Sequence, residues 1–354
     1  MHMHAYATYQ IPDMEVELLP IETDLGPMEG TRRSMMDTHE SLSSHTAQMS
    51  FGGNVPRVSL QSNAMELLGY KVSHALGEGA FGQVYAGTRV SDALPVAIKT
   101  IPGCWVRRDP VNQELPLEVS LMQNVAHVRG VVKLIDACWL QDGNLLIIME
   151  RVESCMDLSR FMDEGRLTPQ LARSFFRQLV ETVKDCHAAG VVHRDIKPEN
   201  ILVDLATESI KLIDFGCASH WEPFYDTLSG TPYYMPPEMF VEARCNGVAS
   251  EVWSLGVLLY VLATGHFPFV NFSEVTEENV RALSFSQETP VQWQDLIRQL
   301  LVFDWTKRPA LHDILNHSLL QVEPYDWSRT STSLGHPCQL GQASPPMDIS
   351  SICV

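Results

Sequence analysis

HRDIKPEN, residues 193–200, is the stretch that decides how this chain of 354 residues is read. It sets an acid, Asp195, ahead of a lysine, Lys197, and an amide, Asn200. That order suits phosphoryl transfer from a nucleotide. The acid accepts a proton from an attacking hydroxyl, the lysine neutralises charge on the moving phosphoryl group, and the amide holds a metal ion. A charged surface loop is the competing reading, and the neighbouring segments argue against it.

Downstream, Asp214-Phe215-Gly216 follows the apolar residues 210–213, at a distance from Asp195 that fits a small hairpin. Asp214 offers a hard oxygen ligand to magnesium bridging nucleotide phosphates, and Asn200 can take a second ion. Residues 217–238 then end in SGTPYYMPPE and read as a loop with its anchor, in which Glu238 pairs with Arg308 of TKRP.

Upstream, Gly77-Glu78-Gly79-Ala80-Phe81-Gly82 is a GxGxxG. A dinucleotide site would open a helix after the last glycine. Here residues 84–88 have strand character, as do residues 70–76, so the glycines form a hairpin flap whose amides approach phosphates. Lys99 ends the strand VAIK and is placed to reach the α- and β-phosphates. Glu118, on a helix predicted over residues 115–125, is the acid best placed to hold it. Further strands are predicted at 95–101, 131–139 and 144–150. Helices follow at 169–187 (capped by Thr168-Pro169 and stopped by Gly190), 250–263, 291–303 and 310–320.

GEGAFGQV, VAIK, Glu118, HRDIKPEN, DFG and PPE together resemble the eukaryotic protein kinases, over about residues 70–320. Lys197 and GTPYY are similar to the serine/threonine type. LARSFF, CHAAGVVHRDIK, ENILVDL, KLIDFG, VWSLGVLLY and the hinge ERVESCMDL resemble the Pim kinases. The resemblance implies an α+β, bilobal fold. A five-stranded antiparallel sheet plus one helix would occupy about residues 70–150, and a larger, mainly helical lobe about residues 155–320.

It also implies ATP and Mg2+ as cofactors. Asp195, Lys197 and Lys99 would be catalytic, and Asn200 and Asp214 would hold metal. Leu76, the glycine loop, Gln83, Val84, Ala97, Lys99, Glu118, Glu150, Val152 and Asp157 would bind the nucleotide, with Met149 guarding the back of the pocket. Glu199, Asp157, Glu153 and Asp163 would favour protein substrates with arginine upstream of the target hydroxyl. The enzyme would act as a monomer, in the cytoplasm or nucleus.

Three positions depart from the Pim pattern or from most kinases. Val152 stands where Pim hinges carry proline and restores an N–H for the adenine. Pro198 stands where they carry an acid. Glu251 in EVWSLG replaces the aspartate of most kinases, and Pim members also deviate there. Arg194 beside Asp195 often serves kinases whose loop carries a phosphate. Thr227 and Ser229 are the candidate sites, and Thr231 reads as part of the substrate floor. The resemblance to Pim implies activity without that phosphate. The rival reading is a catalytically weak pseudokinase acting as a binding scaffold, which would normally lack Lys99, Asp195 or Asp214.

Composition agrees with an acidic globular protein. A net charge of -18, from 43 acidic and 25 basic residues, argues against nucleic-acid or anionic-membrane binding and suits basic peptides. Hydrophobic residues at 45% support a sizeable core. Eight cysteines without a CxxC pair read as reduced, packed residues. The start of the chain lacks a signal-peptide pattern, and no run of about 18 apolar residues is evident. Residues 1–66, with nine acids against Arg32, Arg33 and Arg57, read as a disordered acidic leader. Residues 325–354 read as a disordered tail.

Overall fold

In the computed structural model of the protein, residues 69–79, 82–140, 142–269 and 271–321 are described. All lie in the unit spanning Asn54–Val354. The expected leader, 1–66, and tail, 325–354, fall outside them.

The first strands carry the period-2 pattern that builds a sheet. β1 (Tyr70–Gly79), β2 (Gly82–Arg89), β3 (Pro95–Ile101), β4 (Leu134–Trp139) and β5 (Leu145–Glu150) form an antiparallel sheet in the order β1-β2-β3-β5-β4. β5 is apolar at nearly every position because both of its faces are covered. Leu145, Ile147 and Met149 join the main core with α1 (Leu117–Asn124), while Leu146 and Ile148 pack with Tyr70, Val96 and Ile98 on the other face. Alternation therefore turns Ala97 and Lys99 of β3 to the face opposite Val96 and Ile98. β1 and β2 run further toward the glycines than expected, pairing Gly79 with Gly82. Gly82 is required there: at φ 158°, an added Cβ would lie 1.8 Å from the Thr100 carbonyl oxygen.

The chain then turns helical. β6 (Cys155–Asp157), β8 (Ile201–Asp204) and β9 (Ser209–Leu212) form a small sheet, and β7 (Val191–Val192) pairs with β10 (Ser219–His220). The helices are α2 (Leu158–Asp163), α3 (Pro169–Ala188), α4 (Pro237–Val241), α5 (Gly247–Thr264), α6 (Glu277–Arg281), α7 (Val291–Leu300) and α8 (Leu311–Leu315). Thr168 accepts from the Leu171 N–H at the start of α3, and Pro169 fits the first helical position. Gly190 ends it at φ 75°.

α5 is the axis of the helical lobe. Asn246 caps it, Gly265 closes it in the left-handed region, and thirteen of its residues are buried. By length and composition it could cross a membrane, although Ser250, Glu251, Ser254 and Thr264 interrupt its apolar residues, and its burial in the domain accounts for that composition. Two helices end earlier than the sequence periodicity implies: α7 stops at Leu300, and α8 breaks at Leu315 before a separate turn at Ser318–Leu320.

The expected anchor is present. Both Arg308 guanidinium nitrogens reach the Glu238 carboxylate, at 2.8 and 2.7 Å, and both side chains are buried. Arg308 also donates to the carbonyls of Ala249 and Val302 and lies over the Trp253 ring. Removing one partner of a buried pair leaves the other charge uncompensated. Arg308→Ala should therefore lower stability by about 3–5 kcal/mol in urea unfolding; a loss under about 1 kcal/mol would show that the pair does not anchor the loop.

Candidate active site

Lys99 reaches the site because β3 register places it opposite Ile147 on the inner face of the sheet. α1 begins after Pro116, which sets an extended backbone and leaves Glu118 in the first turn. There the Lys99 ammonium lies 2.7 Å from Glu118 Oε1 and 2.8 Å from Asp214 Oδ1. Burial alone would strip the proton from Lys99; Asp214 and Glu118 overcome it and hold the amine above its usual pKa. Burial opposes ionisation of Asp214 as well, and Lys99 with the Gly216 N–H brings its carboxyl below the usual range. Glu118 moves upward, because desolvation outweighs its share of Lys99. The ammonium and Asp214 are the charged pair at the centre of this network.

The second half gathers on Asp195, itself buried. Oδ1 accepts from the Thr231 hydroxyl at 2.7 Å, and Oδ2 accepts from Asn200 Nδ2 at 2.8 Å and lies 3.0 Å from Lys197 Nζ. Lys197 also donates to Thr231 Oγ1 at 2.8 Å. Asn200 Nδ2 further bonds the Asp195 carbonyl oxygen, which fixes the loop on itself. His193 Nε2 donates to the Ile213 carbonyl and its ring packs edge-on to Phe215, tying the loop to the residues around Asp214.

Arg194 and Asp214 both hold φ near +60°, at 67° and 60°, an uncommon conformation for side chains of this kind. The first is held by Glu251, whose Oε1 accepts the Arg194 N–H at 2.6 Å while Oε2 meets His187 Nε2 at 2.5 Å. Burial would raise the Glu251 pKa; these partners pull it below the usual value. The Arg194 guanidinium lies 4.5 Å over the Tyr225 ring and donates to Ser219 Oγ and the Thr227 carbonyl. Gly230 passes so close that an added Cβ would lie 2.2 Å from the Arg194 carbonyl oxygen. From the other lobe, Arg107 donates to the carbonyls of Gly216 and Ala218.

Between the two halves runs an apolar cleft lined by Val84, Ala97, Val132, Met149, Leu202 and Ile213, with Lys99, Glu118 and Asp214 at one end and residues 150–152 at the other. Leu76 packs with Val84 and Ala97 above it. Val152 lines the cleft, and its N–H makes no hydrogen bond among the described residues. The Glu150 carboxylate turns away, accepting from Lys211 at 2.8 Å and the Lys133 N–H at 2.9 Å, so only its backbone serves the cleft. Asp157 lies outside the lining and caps α2 through the Arg160 N–H. Gly77 and Gln83 lie on the hairpin; Ala80 and Phe81 are outside the described residues.

Magnesium fits these residues. Asp214 Oδ2 and Asn200 Oδ1 have no hydrogen bond among the described residues, and both are hard oxygens. Each could contribute one ligand to a magnesium ion completed by phosphate oxygens.

Sequence reasoning brought Lys99, Glu118, Asp195, Lys197, Asn200 and Asp214 to the centre, and the structure brings them together. It missed the cleft walls Val132, Leu202 and Ile213, as well as His187 and Arg107. Ile213 and Leu202 flank the two polar motifs in sequence, which was a usable signal. Val132 and Arg107 carried none.

A sequence profile for the protein kinase domain matches residues 70–320. The serine/threonine-protein kinase prk-2 of Caenorhabditis elegans is 38% identical over 265 residues, covering 73% of this chain and 59% of that protein. The serine/threonine-protein kinase pim-2 of Danio rerio is 36% identical over 270 residues, covering 73% of this chain and 86% of that protein. The yeast serine/threonine-protein kinase GIN4 is 32% identical over 282 residues, covering 72% of this chain and 24% of that protein.

The depressed Glu251 pKa carries a consequence for acid stability. Its contribution is complete above the ordinary glutamate value of about 4.3 and is lost as pH falls through the lower folded value. Glu251→Gln should be less stable at neutral pH yet lose less stability between about pH 5 and pH 3. Urea midpoints measured against pH should converge in acid; parallel curves would contradict the linkage.

Proposed function

Because this chain belongs to the protein kinase family, as a protein serine/threonine kinase, we propose that it transfers the γ-phosphoryl group of ATP to Ser or Thr of basic peptide segments, in the manner of the Pim kinases. The observation that carries this reading is the convergence of Lys197, Asn200 and Thr231 on the single Asp195 carboxylate, facing the Lys99–Asp214 pair.

In this reading Asp195 orients the substrate hydroxyl and accepts its proton; its Oδ1 already takes a hydrogen bond from an aliphatic hydroxyl, that of Thr231. Lys197, within reach of Asp195 and Thr231, stabilises negative charge on the transferred group. Lys99 holds the nucleotide phosphates, and Glu118 keeps it in place. Asp214 and Asn200 would hold magnesium, which would supply charge neutralisation there. The cleft walls take the adenine, with the Val152 N–H as a donor that a proline could not provide. Most of the rate gain comes from positioning and electrostatics.

Substrate choice follows from acids near Asp195. Glu199 is exposed and makes no ion pair among the described residues. Partial desolvation raises its pKa; Asp195 and Asp157 push the same way and Lys197 opposes. Such a group gains from an incoming guanidinium. Activity without loop phosphorylation is supported by Arg194, whose guanidinium is already engaged by Tyr225, Ser219 and Thr227. The acidic balance of the chain supports action on basic protein partners.

Transfer of radiolabel from ATP to an arginine-rich serine peptide tests the reading. Asp195→Asn should lose at least about a thousandfold in rate while Glu199→Gln weakens peptide KM with little change in kcat. Equal transfer by the wild type and Asp195→Asn would exclude this mechanism, and the absence of transfer by both would favour the scaffold reading.

A further inference from the structure

The loop before α1 meets the strand after Asp214 through a pair of side chains that phosphoryl transfer itself does not use. Asp109 is 1% exposed and carries a carboxylate. Its Oδ1 accepts the N–H groups of Val111 at 2.7 Å and Asn112 at 3.2 Å, which closes the loop on itself. His220 Nε2 lies 3.0 Å from Oδ1 and 3.1 Å from Oδ2. A nitrogen facing a carboxylate is the one that carries the imidazole proton. Ser120, on α1 two residues beyond Glu118, also donates to this carboxylate. Burial opposes ionisation of Asp109; Ser120, the Val111 N–H and His220 outweigh it and lower the pKa to about 2.

His220 is held from three directions. Its imidazole bonds Asp109. Its backbone, in β10, pairs with Val191 of β7, two residues before His193. Its carbonyl accepts the Tyr225 hydroxyl at 2.6 Å, and that ring carries Arg194. The strand that follows Asp214 is thus fixed to the catalytic loop by its backbone and to the start of α1 by one side chain. Glu118 lies in the first turn of α1 and meets Lys99 at 2.7 Å. A displacement of about 1 Å at such a centre can cost on the order of a hundredfold in rate. His220 itself lies outside the cleft lining. Its side chain is 22% exposed, so replacing it leaves no closed cavity.

We infer that His220 is a positioning residue for phosphoryl transfer: through Asp109 it sets α1 so that Glu118 holds Lys99 at the nucleotide phosphates. The inference rests on the reading of Lys99 and Glu118 given above. The hydrogen bond from Nε2 is what the device requires, so a side chain with a donor at the same reach should serve in its place.

The test uses full-length protein, radiolabel transfer from ATP to an arginine-rich serine peptide, and amide hydrogen exchange. His220→Ala should lower kcat about tenfold and leave peptide KM unchanged. His220→Gln, whose amide can stand in for the Nε2 donor, should recover to within about threefold of the wild type. Exchange in Leu117–Asn124 should quicken in His220→Ala while exchange in α5 is unchanged. If His220→Ala does not fold, His220→Asn, with an amide too short to reach Asp109, takes its place with the same expectations. An unchanged kcat, or an equal loss in His220→Ala and His220→Gln, would overturn the inference and leave the kinase reading intact. Exchange that quickens equally in α1 and α5 would assign His220 to stability alone and overturn it as well. No transfer by the wild type would overturn both readings.

Discussion

One buried carboxylate sets the backbone on which the site is assembled. Glu251 on α5 takes the Arg194 N–H and thereby holds that residue in a left-handed conformation. The neighbouring Asp195 is aimed by the same backbone, and the Arg194 carbonyl is what Gly230 packs against. From Gly230 the chain delivers Thr231 to Asp195 and Lys197. The Arg194 side chain then secures the rest of the loop through Tyr225, Ser219 and Thr227. A single interaction in the helical core thus reaches Asp195 and, through Gly230, Thr231. The strain at Arg194 persists because three sets of contacts over-determine it.

The sheet lobe joins this assembly through a second charge centre. Lys99 binds Glu118 of α1 and Asp214 of the helical lobe, so one ammonium couples three segments distant in sequence. Arg107 adds two hydrogen bonds to the backbone after Asp214. Taking these charges from water is costly, and burial alone would neutralise them. Their retention as a network supports a role in holding phosphates and metal over a role in stability alone.

Much of this was legible in the sequence because the polar motifs sit beside strong local signals. Lys99 lies in an apolar strand, Asp214 follows another, and Gly82 stands where only glycine tolerates the Thr100 carbonyl. What stayed hidden depends on tertiary encounter. Val132, Leu202 and Ile213 come from separate segments and form one wall only after folding. Glu251 looked like an imperfect match to an aspartate; its longer side chain nevertheless reaches both Arg194 and His187. The further bonds of two expected nucleotide neighbours were equally hidden: Glu150 lines the cleft while its carboxylate meets Lys211, and the Asp157 carboxylate caps the start of α2. The break after Leu315 escaped notice because the apolar spacing continues into Leu319 and Leu320.

The Arg194 guanidinium is engaged by Tyr225, Ser219 and Thr227, where a loop phosphate would otherwise be expected to hold it. The most direct measurement is the single-turnover rate of phosphoryl transfer to a basic serine peptide by bacterially expressed, phosphatase-treated protein. Mass spectrometry would verify that residues 217–238 carry no phosphate. Full transfer is expected, unchanged by later phosphorylation of Thr227. No transfer until Thr227 is rephosphorylated would contradict it.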